Sequence, residues 1–192
     1  MIQFDPTAHT YTVGGVRFPS VTQIISDVGL YGDTSYFTEY CRERGSLVHR
    51  IIQYHVSGEL DESTIDPVLQ GYFDAWRRFE SESSYVGDAC EMLMADMTYR
   101  FAGTVDHLGH LNGYPCVIDV KTGAMSAATS LQLAGYEVLQ KHPGIRRFGL
   151  QLSADGKYKL KEYKDRGDRG VFLAALSLWW WKANNNLRMA RT

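Results

Sequence analysis

A chain of 192 residues with 44% hydrophobic and 22% charged residues is long enough to bury one sizeable core, and its composition excludes disorder as the default. It opens on MIQFDPTAHT, without a basic end followed by an apolar run, and its longest apolar stretch, Val171 to Trp181, is broken by Ser177 and too short to span a bilayer. A soluble, intracellular protein with no membrane association is expected. The net charge of −2 hides a split: residues 1–140 carry 8 Lys and Arg against 18 Asp and Glu (−10), and residues 141–192 carry 12 against 4 (+8). A split of this kind fits a nucleic-acid surface and equally fits a solvated basic face.

The segment TYTVGGVRFPS reads as a hairpin turning at Gly14-Gly15, after which Ser20 is placed to cap a short helix through Val21, Ile24 and Ile25. A longer helix ends in RGSLVHRIIQYHVSG, with Leu47, Val48, Ile51, Ile52 and His55 at helical spacing and Gly58 as its stop. Residues 66–82 form an amphipathic helix with Pro67 in its first turn. From about Cys90 the period changes to two: ACEMLMADM and TYRFAGTVDHLGHL read as strands, Asn112-Gly113 as a two-residue turn, and YPCVIDVKT as the returning strand. Residues 126–141 are helical, a second hairpin turns at Asp155-Gly156, and a last helix carries LAALSLWWWK. The order predicts one α/β domain over 1–192, with a small central mixed sheet flanked by helices.

The Asn112-Gly113 turn fixes a register. With a two-residue loop Leu111 faces Tyr114, and counting outward places Asp106 opposite Asp119 and Thr104 opposite Lys121. Opposed residues share a face, so Asp106, Asp119 and Lys121 converge, while Val105, Ile118 and Val120 are assigned to the other face as core. Two carboxylates about 5 Å apart repel by roughly 3 kcal/mol at an effective dielectric of 20. A divalent cation offsets that repulsion. Oxygen donors without thiolates suit Mg²⁺ or Mn²⁺ better than zinc. Cys41, Cys90 and Cys116 are odd in number and far apart, which gives no zinc spacing and no set for an iron–sulfur cluster. The competing reading, a surface Asp119–Lys121 ion pair with a solvated Asp106, conflicts with the apolar neighbours Val117, Ile118 and Val120. An Asp-x-Lys triplet alone is weak; a second one, Asp155-Gly156-Lys157, is assigned to a turn.

These residues resemble the RecB-type branch of the PD-(D/E)XK nucleases. The matching elements are Gly103 to Asp106 (GxxD), Asp119 to Lys121 (DxK), Gln132 to Tyr136 (QxxxY), the helical His49 in RGSLVH, and Glu91 on the strand before GxxD. FPSVTQII is similar to the opening of phage-encoded members and of mitochondrial genome-maintenance exonucleases. The resemblance covers roughly residues 18–140 and leaves the basic hairpin and helix of 141–192 outside it.

The resemblance implies a restriction-endonuclease-like core and a deoxyribonuclease dependent on Mg²⁺ or Mn²⁺. In it His49, Asp106, Asp119 and the Val120 carbonyl hold the metal, and Asp106, Asp119 and Lys121 are catalytic. Glu91 stands as an outer or second-metal residue, and Gln132, Tyr136, Arg44 and Arg50 support the site or touch DNA. It implies an exonuclease on DNA ends or single strands, in phage-type recombination or replication. A structure-selective endonuclease and an inactive DNA-binding module of the same fold are the alternatives, and RNA as substrate stays open. So do a monomer and a homo-oligomer. His107 and His110, three apart on a strand, fall on opposite faces and are not expected to be ligands. Lys157, Lys159, Lys161, Lys164, Arg166 and Arg169 offer phosphate contacts, and Trp179 to Trp181 read as core plus one exposed ring.

Overall fold

In the computed structural model, residues 1–32, 38–142 and 144–187 are described. The chain runs β1 (Ile2–Asp5), β2 (Thr10–Val13), β3 (Val16–Phe18), α1 (Val21–Asp27), α2 (Glu39–Ser57), α3 (Pro67–Glu82), β4 (Tyr85–Asp96), β5 (Phe101–Leu111), β6 (Tyr114–Lys121), α4 (Ala127–Gln140), β7 (Arg146–Leu152), β8 (Tyr158–Glu162) and α5 (Gly167–Asn184). A short 3-10 turn at Glu62–Thr64 precedes α3. β1 extends the expected opening hairpin to three antiparallel strands.

Local chemistry sets the boundaries. Ser20 accepts the Gln23 N–H and caps α1, Asp66 accepts the Val68 N–H beside Pro67, and Gly58 closes α2 with φ 75°. The five-stranded sheet has the order β4-β5-β6-β7-β8. Its β6–β7 pair is parallel and the others are antiparallel, because α4 carries the chain from the end of β6 back to the start of β7. This is the expected mixed sheet flanked by helices.

Two apolar layers enclose the sheet. Residues of α1, α4 and α5 pack with Phe101, Val105, Leu108 and Val117; residues of α2 and α3 pack with Leu111, Cys116, Ile118, Val120, Phe148, Leu150 and Leu152. The small sheet docks through Tyr11 and Phe18 against Ala102. Ile118 and Val120 share one layer as the alternation predicts. Val105 does not join them; it belongs to the layer of Val117. The strict two-residue alternation along β5 therefore fails near Asp106, since Val105 and Leu108 lie in the same layer while His107 between them stacks on Trp76 of the other.

His107 is 2% exposed, with its ring 4.4 Å from that of Trp76 at 27°. Burial, with a smaller contribution from His49, lowers its pKa to about 3. A histidine depressed in the folded state favours the fold above its unfolded pKa of about 6.5, and that advantage fades as pH falls. Between pH 7 and pH 5 wild type should lose about 2 kcal/mol through this residue alone. His107→Phe, which keeps the stack, should show correspondingly less acid destabilisation in urea unfolding at the two pH values. Equal pH dependence in both proteins would overturn the assignment.

The tryptophans of α5 divide as expected. Trp179 Nε1 donates to Asp27 Oδ2 at 2.8 Å, and Trp180 Nε1 donates to the Tyr99 carbonyl at 3.2 Å. Trp181 remains 58% exposed.

Candidate metal-binding site

The β5–β6 ladder runs in the register set by Asn112-Gly113, from Leu111↔Tyr114 to His107↔Ile118, and ends there. At the next position Asp106 Oδ2 accepts the Val120 N–H at 2.8 Å, so a side chain takes the place of a ladder partner. Glu91 lies between the β4–β5 pairs Cys90↔His107 and Met92↔Val105, hence opposite Asp106. Its φ of 50° is in the left-handed region, a conformation that costs a non-glycine residue about 1–3 kcal/mol and that concentrates at functional sites.

α2 delivers His49 to this point. Its neighbours Val48 and Ile52 are buried in the α2/α3 layer and fix the helix face. His49 Nδ1 lies 2.8 Å from Glu91 Oε1, and Nε2 lies 3.1 Å from the Val120 carbonyl oxygen and 3.8 Å from Asp106 Oδ2. Donor atoms of His49, Glu91 and Asp106 all fall within 4.8 Å of one another. Asp119 is not a member of that trio. It is 0% exposed and its carboxylate is held by Lys121, whose Nζ donates to Oδ1 at 2.8 Å and sits 2.6 Å from Oδ2. Among the described residues Oδ2 has this ion contact and no partner in hydrogen-bond geometry.

Lys121 is held from the other side. Its Nζ donates to Gln132 Oε1 at 3.2 Å, and Gln132 Nε2 donates to the Tyr136 hydroxyl at 2.8 Å. Gln132 and Tyr136 are one turn apart on α4, 6% and 4% exposed. They support Lys121 from within and do not reach the open surface. Arg44 braces the loop after β6, donating from Nη2 to the Thr122 carbonyl at 3.2 Å and from Nε to Thr122 Oγ1 at 3.4 Å. Arg50 is exposed and, among the described residues, forms no ion pair.

The electrostatics follow from gathering three carboxyl groups, two of them buried, beside His49 and Lys121. Burial raises Asp106, against the pull of His49 and Lys121. Burial raises Asp119 to about 6, with Lys121 opposing and Asp106 reinforcing the shift. Burial alone would lower His49, but Asp106 and the hydrogen bond to Glu91 outweigh it and lift the imidazole to about 9. Lys121 likewise resists burial through Asp119 and Asp106 and is raised. Three carboxyl groups (Glu91, Asp106 and Asp119) outnumber the two basic groups gathered with them (His49 and Lys121), an excess of acidic donors that a cation would offset. The donor set (one imidazole, carboxylates and a backbone carbonyl) fits Mg²⁺ or Mn²⁺, and the under-coordinated Asp119 oxygen adds an acceptor beside it.

The remaining histidines behave as structural groups. His110 pairs with Asp88 at 3.0 Å and His55 with Glu80 at 2.9 Å. No motif in the sequence singled out Tyr11, whose hydroxyl meets Thr104 Oγ1 at 2.9 Å and lies within the fields of Glu91 and Asp106. Nor did it point to Tyr163, within the fields of Asp119 and Lys121. Both come from elements distant in sequence, and an isolated tyrosine carries no spacing signal.

No protein-family model matches the chain, and comparison with curated proteins found no match. Among solved structures, a candidate exonuclease from Eubacterium rectale superposes with a TM-score of 0.60 at 11% identity, covering 91% of this chain and 84% of the other. LHK-Exo, an alkaline exonuclease from Laribacter hongkongensis, superposes in its dAMP complex with a TM-score of 0.51 at 14% identity, covering 88% of this chain and 89% of its own. A five-stranded mixed sheet with helices on both faces, met at its β4–β6 end by a His–Glu–Asp trio of which Asp106 is buried and His49 and Glu91 are half-buried, is thus built on the fold that these two proteins share with this chain.

Proposed function

We propose that the protein is a Mg²⁺- or Mn²⁺-dependent DNA nuclease of the RecB-type PD-(D/E)XK kind, acting as an exonuclease on DNA ends or single strands in recombination or replication. The observation that carries this reading is the convergence of His49, Glu91 and Asp106 beside the Asp119–Lys121 pair. The shared fold adds support, and LHK-Exo in complex with dAMP, a deoxynucleoside monophosphate, favours DNA as substrate.

His49, Glu91, Asp106 and the Val120 carbonyl would hold the divalent ion, with Asp119 at its edge. In this reading Glu91 would be a direct ligand and not an outer residue. A divalent ion in such a site supplies Lewis acidity toward the phosphate and lowers the pKa of its water. The chain's own contribution is orientation. Gln132, itself tied to Tyr136, and Asp119 hold the Lys121 ammonium in place. From there Lys121 can direct the attacking water and stabilise negative charge as it grows on the phosphate oxygens. The water oxygen forms the new P–O bond and gives up a proton to solvent, the bridging P–O bond breaks, and the departing sugar oxygen takes up a proton from solvent.

End-labelled linear single-stranded DNA and its circular counterpart, incubated with Mn²⁺ or Mg²⁺ and with EDTA, test this reading. Loss of linear DNA only, blocked by EDTA, is expected. Cleavage of the circle would assign an endonuclease. Intact DNA throughout would remove the nuclease reading.

A further inference from the structure

β8 is an edge strand, and its register ties it to the site two strands away. Across the parallel β6–β7 pair and the antiparallel β7–β8 pair, Asp119 faces Gly149, which faces Lys161; Lys121 faces Gln151, which faces Lys159. Directly opposed residues project to one face, so Lys159 and Lys161 stand on the same face of the sheet as the Asp119–Lys121 pair. Two contacts agree with this placement. A Cβ at Gly149 would meet Met125, Tyr163 and Thr129, which marks this as the α4 side, and the Lys161 ammonium lies 4.5 Å over the Tyr163 ring on that same side. Tyr158 and Leu160 of β8 pack into the opposite layer.

Both lysines are exposed, and among the described residues neither forms an ion pair. Their basic neighbours differ: Lys157 is paired with Asp155 at 2.6 Å and Lys164 with Glu162 at 3.4 Å. Edge strands often carry lysines simply to prevent pairing with other chains. That role asks for charge anywhere on the edge. It does not ask for two unneutralised lysines in register with the catalytic-site row.

We infer that Lys159 and Lys161 form a track for nucleic-acid backbone phosphates that leads away from the site past Lys121 and the half-buried Gln151, since the Asp119–Gly149 row is covered by Met125, Thr129 and Tyr163. This rests on the nuclease reading above and names how that site would hold its substrate. Two strand spacings put the lysines about 10 Å from the site row, the rise of roughly three nucleotides of duplex. The track therefore engages phosphates beyond the scissile one, and a substrate too short to reach it gains nothing from it.

The test compares wild type, K159Q/K161Q and the control K157Q/K164Q, all checked for equal melting temperature. Binding of a labelled 12-nucleotide DNA in EDTA is followed against salt, and Mn²⁺-dependent cleavage of the same oligonucleotide and of a dinucleotide is measured. K159Q/K161Q should reduce the slope of log affinity against log salt by about 1.5, while the control leaves it near that of wild type. It should slow cleavage of the 12-mer several-fold at low salt and leave the dinucleotide unchanged. A wild-type slope in K159Q/K161Q, or an equal drop in both variants, would overturn the track. Wild type that binds with the lysine-dependent slope but cleaves nothing in Mn²⁺ would instead remove the nuclease reading and leave the phosphate contacts standing.

Discussion

Replacing Asp119 by asparagine is expected to lower Mn²⁺-dependent DNA cleavage by at least about 10²–10³-fold, the usual cost of removing one preorganised electrostatic group from an active site. Asparagine preserves shape but removes the charge that fixes Lys121, whose Nζ lies 2.6 Å from Asp119 Oδ2. The same residue gives metal binding a pH signature. Its folded pKa of about 6 is above the ordinary 3.8, so the fold favours the protonated acid, and this contribution to apo stability is lost as pH rises through 6. A cation needs the carboxylate, and it must also displace the proton that His49 keeps up to about pH 9.

Stabilisation by Mn²⁺ should therefore be small at pH 5 and grow through pH 6 to 9, reaching about 2.7 kcal/mol where the ion is at a hundred times its Kd. Thermal melting with and without Mn²⁺ across that range measures it. Asp119→Asn should shrink the increment. A pH-independent increment, or an active Asp119→Asn enzyme, would contradict the site as described.

The second large effect is structural. Arg147 on β7 is 1% exposed and joins three elements: its Nε lies 3.4 Å from Glu137 Oε2 on α4, its Nη2 lies 3.2 Å from Asp168 Oδ2 on α5, and Nη2 also donates to the Asp165 carbonyl. Arg147→Met should cost about 3–5 kcal/mol, because it leaves the buried Glu137 carboxylate without its main counter-charge. Arg166, 3.5 Å from Glu137 Oε1 but 59% exposed, offsets only part of this. In thermal denaturation the drop should be on the order of 10 °C. Adding Glu137→Gln to Arg147→Met should recover much of the loss, since it removes the stranded charge. A double variant no more stable than the single would show that packing around the guanidinium, not the ion pair, carries the effect.

Much of this architecture is legible in local residues. Ser20, Asp66 and Gly58 mark helix ends because each satisfies or releases the backbone groups next to it. Asn112-Gly113 sets the β5–β6 register because a two-residue turn leaves no freedom to slip, and the observed pairs from Leu111↔Tyr114 outward follow it. The hairpin register brought Asp106, Asp119 and Lys121 together, the family resemblance added His49, and the helical period placed Gln132 and Tyr136 on one face.

Alternation alone misplaced Val105, because it assumes an unbroken ladder, and the ladder ends where Asp106 Oδ2 takes the Val120 N–H. Only the tertiary structure grouped Glu91 with His49 and Asp106, since that trio joins a helix to two strands and needs the left-handed backbone at Glu91. It alone aligned Lys161 with Asp119 and Lys159 with Lys121, through a parallel pairing that no local turn specifies. The sequence determined what short-range geometry and spacing can fix: the elements, one hairpin register and the chemical types at the site. The ligand grouping and the lysine row were decided by tertiary structure, because they depend on where separate elements pack and where regular pairing gives way.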